Sequence, residues 1–264
     1  MEVGSWQEVT LGYVSYLAVV SFTRREFVRT RRPLLVAAAV AWTAYAAFGR
    51  APLSPVLRIV IPSFVLLGGY RLSGLLFVRP NEHLERWLLS VDDRLLWGSG
   101  VLPWFHRAPS VVNEYFELSY LLVYLAVPAG ATTLVVSGHS DQVDRFWTIV
   151  LLAEFACYAM LPWIQTRPPR AIETSDSVAH AGVVRRLNLS LVNRASIQVN
   201  TLPSGHAAGA VATALAVGSS LPLAGIAFLF VALSISIATV IGRYHYVVDT
   251  ALGVLVAIVA WQLT

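Results

Sequence analysis

The chain has 264 residues, 56% hydrophobic and 13% charged, with a formal net charge of +4 and a mean hydropathy of +0.65. That is too apolar and too weakly charged for an ordinary soluble domain of this length. One cysteine, Cys157, excludes an intrachain disulfide, and the lack of a long basic face interleaved with aromatics excludes nucleic acid as a partner.

A helix that crosses hydrocarbon needs roughly 17 to 25 mostly apolar residues. Runs of that kind, bounded by charge, Gly or Pro, lie at 6–23, 33–49, 55–78, 115–136, 146–164, 206–220, 222–241 and 246–263. None sustains a period-two alternation, so helices rather than barrel strands are expected. The fold class is therefore all-α, a polytopic bundle in a lipid bilayer, expected in a bacterial cytoplasmic membrane. Gln7 and Glu8 in the first run, and Arg58, Pro62 and Arg71 in the third, would also suit interfacial helices. No cleavable signal peptide is expected at the N-terminus.

In the connection 79–114, Leu84, Trp87, Leu88, Val91 and Leu95 recur at helical spacing while Glu82, Glu85, Arg86, Asp92 and Asp93 fall elsewhere. This is an amphipathic helix, either flat on the membrane surface or docked on the bundle. Trp6, Trp87, Trp97, Trp104, Trp147, Trp163 and Trp261 fall near run ends or in this helix, as aromatic belts do. The connection 165–204 is too polar for lipid and too long for an idle linker, and it carries five of the 19 basic residues, all of which are Arg. Guanidinium forks rather than lysine ammonium groups are thus the available phosphate ligands.

Three short stretches can carry chemistry. In Pro203-Ser204-Gly205-His206, Ser204 can cap a helix, Gly205 lets backbone approach a ligand, and the free N–H groups favour phosphate, with His206 beside it. Behind it, Ala208, Ala212 and Ala216, with Ala210, Ala214 and Gly218, give small-residue rows for close helix packing. At the start of the last run His245 and Asp249 share a helix face, with Arg243 upstream. Asp249 can accept the Nδ1 proton of His245 and leave Nε2 as a nucleophilic lone pair. Arg167 and Arg170, in QTRPPR at 165–170, are forked phosphate ligands. No grouping has metal-ligand spacing, so no metal and no cofactor is expected.

These stretches, in this order, resemble the type-2 phosphatidic acid phosphatase superfamily, whose pattern is Lys, six residues, Arg-Pro; Pro-Ser-Gly-His; and Ser-Arg, five residues, His, three residues, Asp. The matching positions are Arg167 with Pro168, Pro203 to His206, and His245 with Asp249. The resemblance implies a six-helix core, here within a phosphatase-like unit at 51–264 preceded by extra N-terminal helices at 1–50. It implies metal-free hydrolysis or transfer of a lipid phosphate through a phosphohistidine on His245; for such a reaction His206 is expected to protonate the leaving lipid oxygen and then accept a proton from water. Met160 stands at the Lys position, and Ala238 and Thr239 stand at Ser-Arg; Arg170, Arg194 or Arg243 are the expected replacements.

The substrate expected is a membrane lipid phosphate of the phosphatidate, phosphatidylglycerophosphate or polyprenyl phosphate type. His245, Tyr246 and Asp249 together also resemble the sphingolipid headgroup synthases, which makes a phosphotransferase the alternative; a non-enzymatic lipid-binding or transport protein is the third. If all eight runs span, segments 24–32, 79–114, 165–204 and 242–245 share one face with 15 of the 19 arginines, which the positive-inside rule makes cytoplasmic. The resembling family works at the opposite face, and failure of 55–78 to span would reconcile the two.

Overall fold

The computed structural model of the chain describes residues 5–49, 51, 53–173 and 182–264, the side chains of 193–195 excepted. Among these, eleven α-helices follow one another with no β-strand: α1 (Trp6–Val20), α2 (Arg31–Phe48), α3 (Pro55–Gly74), α4 (Glu82–Asp92), α5 (Val101–Arg107), α6 (Ser110–Val136), α7 (Val143–Ala159), α8 (Val183–Ala195), α9 (Gly205–Gly218), α10 (Pro222–Ile241) and α11 (Val247–Leu263). Each apolar run forms a helix, and local chemistry sets the ends. α6 starts earlier than its apolar stretch because Pro109 precedes Ser110 and helix grows directly from it. α7 stops at Ala159, ahead of Pro162, which removes a donor and crowds the preceding turn. Pro55 and Pro222 open α3 and α10, with Ser54 capping the former.

Three helices, α3, α6 and α10, are long and apolar enough to cross a membrane; α9 and α11 are shorter apolar helices. The run on which the choice of membrane face turned, α3, is therefore among those with the length to span.

α9 lies at the centre, packed against α6, α7, α10 and α11. Ala208, Ala210, Ala212, Ala214 and Ala216 are all buried, so both small-residue rows serve as contact surfaces. Trp147 departs from the expected belt: it is fully enclosed in the core, because α7 is buried on nearly all sides. Trp87, Trp97, Trp104 and Trp163 are exposed.

α4 docks on the bundle through groups expected to face water. Leu88 is buried, but so are Glu85 and Asp92, while Trp87 and Leu95 are exposed. The reason is electrostatic, since both carboxylates meet arginines from other segments.

Site geometry depends on how closely α11 approaches the start of α9. A Cβ on Gly253 would lie 2.4 Å from the Ser204 carbonyl oxygen and 3.3 Å from the Ala207 Cβ, so only glycine fits without moving backbone. In an exposed helix Gly→Ala is stabilising by up to about 1 kcal/mol. At Gly253 the sign reverses: G253A is expected to destabilise by about 1–3 kcal/mol through overpacking, read as a lowered Tm in detergent micelles.

Candidate active site

His206 sits in the first turn of α9, and His245 in the 242–246 turn joining α10 to α11. That turn is fixed by backbone: the N–H groups of Tyr244 and His245 both donate to the Thr239 carbonyl at 2.9 Å. Arg243 takes a left-handed φ of +59° there, at a cost of about 1 kcal/mol for a non-glycine residue. Its buried guanidinium offsets the strain by pairing with Asp92 of α4 at 2.7 Å and with Glu173. The two imidazoles are thereby brought to 5.4 Å between ring centroids, inclined at 57°.

Asp249, in the first turn of α11, is a junction. Its Oδ2 accepts from Asn200 Nδ2 at 2.7 Å and from the Tyr246 N–H at 3.1 Å, and its carbonyl accepts the Ser204 N–H at 2.9 Å. His245 Nδ1 lies 3.5 Å from the same Oδ2, longer than an ordinary hydrogen bond. Catalytic hydrogen bonds commonly shorten in the substrate complex, and the second carboxyl oxygen, Oδ1, is buried with no hydrogen bond among the described residues.

A column of rings connects the histidines to an arginine. His206 stacks on Tyr120 at 5.2 Å, Tyr120 stacks on Tyr244 at 3.8 Å, and the guanidinium of Arg170 lies over Tyr244 at 5.0 Å. Burial holds Arg170 below the ordinary arginine range, yet guanidinium stays charged in proteins. Burial first, and then the Arg170 charge, pushes His245 down to about 3. His245 is therefore a neutral base at physiological pH, the form a nucleophile needs.

The other expected phosphate ligands are engaged elsewhere. Arg167 is bound bidentately by Glu85, with Nη2 to Oε2 at 2.8 Å and Nε to Oε1 at 3.1 Å. The Arg243 guanidinium is held by Asp92 and Glu173. The Ser204 N–H goes to Asp249, and the Gly205 N–H to Thr201 Oγ1 at 3.3 Å, while the Ser204 hydroxyl caps α9 by accepting from the Ala207 N–H. The Arg194 side chain lies outside the described residues. Of the expected arginines, Arg170 is the one whose charge bears on both histidines. Asn200, Tyr120, Tyr244, Glu85 and Asp92 join the site or its frame without a motif to announce them.

The sequence model of the PAP2 superfamily matches residues 86–263, more than half of the chain. The chain belongs to the PAP2 superfamily. No curated protein and no solved structure matches it. In this PAP2 protein the residues at the departures from the family pattern do structural work: Thr239 holds the 242–246 turn through its carbonyl and meets Thr250 Oγ1 at 3.2 Å, and Met160 ends α7. PAP2 membership carries phosphatase-type chemistry, and the helices α1 to α3 precede the matched region.

R243A removes the cation between Asp92 and Glu173 and is expected to cost about 3–5 kcal/mol, as breaking a buried pair does, measured by thermal unfolding. Acid stability follows from His245. The unfolded chain binds a proton near pH 6.5 that the folded site takes up only near 3, so stability is lost as pH falls from about 6.5 towards 3. H245Q is expected to remove the His245 share of that loss, seen as a smaller fall in Tm between pH 6.5 and about 3 than in the wild type.

Proposed function

We propose that the protein is an integral, multi-pass membrane enzyme that hydrolyses a lipid phosphate through a phosphohistidine on His245. The observation that carries this reading is the pair of imidazoles, 5.4 Å apart, under the charge of a half-buried arginine that no carboxylate neutralises among the described residues. That grouping suits a single phosphoryl group, with Arg170 binding its equatorial oxygens as a fork.

His245 Nε2 attacks phosphorus while the bond from phosphorus to the lipid oxygen breaks. His206 gives its proton to that oxygen; the negative charge of the incoming phosphate favours the protonated form of His206 beforehand. Neutral His206 then takes a proton from water as the water oxygen attacks phosphorus, the N–P bond breaks, and both imidazoles return to their starting forms. Asp249 orients His245 and, through Asn200 and Ser204, ties the two helix starts together.

His206 also lines a cavity of about 420 Å³ bounded by α3, α6, α7 and α9, whereas His245 does not. This arrangement supports a substrate with its lipid portion on the His206 side and its phosphate towards Arg170. The exposed apolar side chains Leu67 of α3 and Leu125 of α6 fit a surface bathed in acyl chains.

Radiolabelled lipid phosphates of the phosphatidate, phosphatidylglycerophosphate and polyprenyl classes, assayed with and without polyol acceptors, test the reading. Free phosphate is expected, and label on the acceptor would instead assign a phosphotransferase. H245A should remove turnover with folding intact. R170A should lower kcat/KM on the order of 10²-fold, the usual loss for one charge-stabilising donor, whereas R167A should lower Tm and leave kcat/KM of the folded protein nearly unchanged. Full activity in H245A or R170A would defeat the assignment.

A further inference from the structure

The cavity beside His206 has a second polar feature that the phosphoryl chemistry does not use. Its walls are largely apolar, with Leu66, Val123, Val127 and Pro128 among them; Arg71, Tyr70 and Tyr124 also line it, and Glu154 of α7 and Tyr158 do so together with His206. Glu154 is 5% exposed and has no cationic partner among the described residues. Its Oε2 accepts from the Tyr158 hydroxyl. Its Oε1 has no hydrogen-bond donor among the described residues.

The packing shows that this position is built. A Cβ on Gly209 would lie 1.9 Å from Glu154 Oε1, and a Cβ on Gly205 would lie 2.5 Å from the Tyr158 ring. Two glycines one turn apart on α9 thus leave the notch that seats the carboxyl and its tyrosine. His206 and Gly209 are about 4.5 Å apart along the helix axis, the scale of a few covalent bonds. A carboxyl group on an apolar helix is costly unless it is hydrogen-bonded or used, and here one oxygen is bonded while the other is presented to the cavity.

We propose that Glu154 is a specificity residue whose Oε1 accepts a hydrogen bond from a hydroxyl or amide N–H of the substrate, selecting lipid phosphates that carry a free donor close to the phosphorylated carbon. The inference rests on the reading that the phosphate lies between His206 and His245. A site built to bond a donor rejects the analogue lacking it far more strongly than an apolar pocket rejects an extra group. Lipids of the lysophosphatidate, N-acyl sphingoid phosphate or phosphatidylglycerophosphate kind carry such a donor, and phosphatidate and polyprenyl phosphates do not.

The test uses oleoyl lysophosphatidate and its 2-deoxy analogue, which differ by one hydroxyl, with full-length protein in lipid nanodiscs. Wild-type protein is expected to favour the hydroxyl-bearing lipid at least about tenfold in kcat/KM. E154A should bring the ratio close to one by slowing only that lipid, and E154Q, which keeps an acceptor oxygen, should retain most of the preference. Equilibrium binding of both lipids to H245A protein separates this inference from the reading it rests on. If the wild-type protein turns over neither lipid but the hydroxyl-bearing one still binds H245A protein about tenfold tighter, the hydrolase reading fails and the role of Glu154 stands. A wild-type ratio near one, equal losses for both lipids in E154A, or no binding of either lipid would overturn it.

Discussion

A half-buried guanidinium without a carboxylate among the described residues is the constraint around which the site is arranged. Desolvating an ion costs several kcal/mol even after a protein relaxes around it, and the chain balances its fully buried arginines, Arg243 with Asp92 and Glu173, and Arg185 with Glu117. Arg170 has the face of Tyr244, an attraction of about 2 kcal/mol when desolvated. The shortfall must be carried by the rest of the fold. Its backbone N–H donates to the Arg243 carbonyl at 3.1 Å, and Arg243 is locked by carboxylates on two sides. An anion that completed the balance would meet the same charge that, after burial, disfavours protonation of His245.

The division of labour among helices follows. α9 supplies packing and His206, α11 supplies Asp249, the segment after α7 supplies Arg170 and the turn before α11 supplies His245, while α4 gives no group to the site itself. Its Glu85 and Asp92 instead grip Arg167 and Arg243, each belonging to a different loop, so that the QTRPPR segment and the 242–246 turn are held in register. The carboxylates of the frame neutralise arginines at its periphery; the positive centre is left to the imidazoles.

Periodicity and length revealed the helices because a lipid-crossing segment has few compositional options, and Pro109 and Pro162 mark ends that hydropathy alone blurs. Pro203 to His206, with His245 and Asp249, were legible because each lies at the mouth of an apolar run, where a polar residue has to be explained. The arginine partners were not. A guanidinium on a long flexible stem can reach many positions, and the carboxylate that claims Arg167 is 82 residues away on α4, so residue type and spacing named Arg167, Arg170 and Arg243 alike, whereas carboxylates hold Arg167 and Arg243 and Arg170 lies over the Tyr244 ring. Ser204 and Gly205 misled for a related reason: their N–H groups look free in a bare helix start and are engaged by Asp249 and Thr201. Glu154 was hidden inside an apolar run, and Trp147 looked like an interfacial marker because burial on all sides of α7 has no periodic signature.

The superfamily match begins at residue 86, one position after Glu85. A fragment trimmed to that boundary would keep both histidines, Asp249 and Arg170 and still lose the anchor of Arg167 together with the first turn of α4. It would also shed α3, one wall of the chamber at His206. The structural frame around the histidines therefore extends upstream of the matched region, through α3 and the first turn of α4.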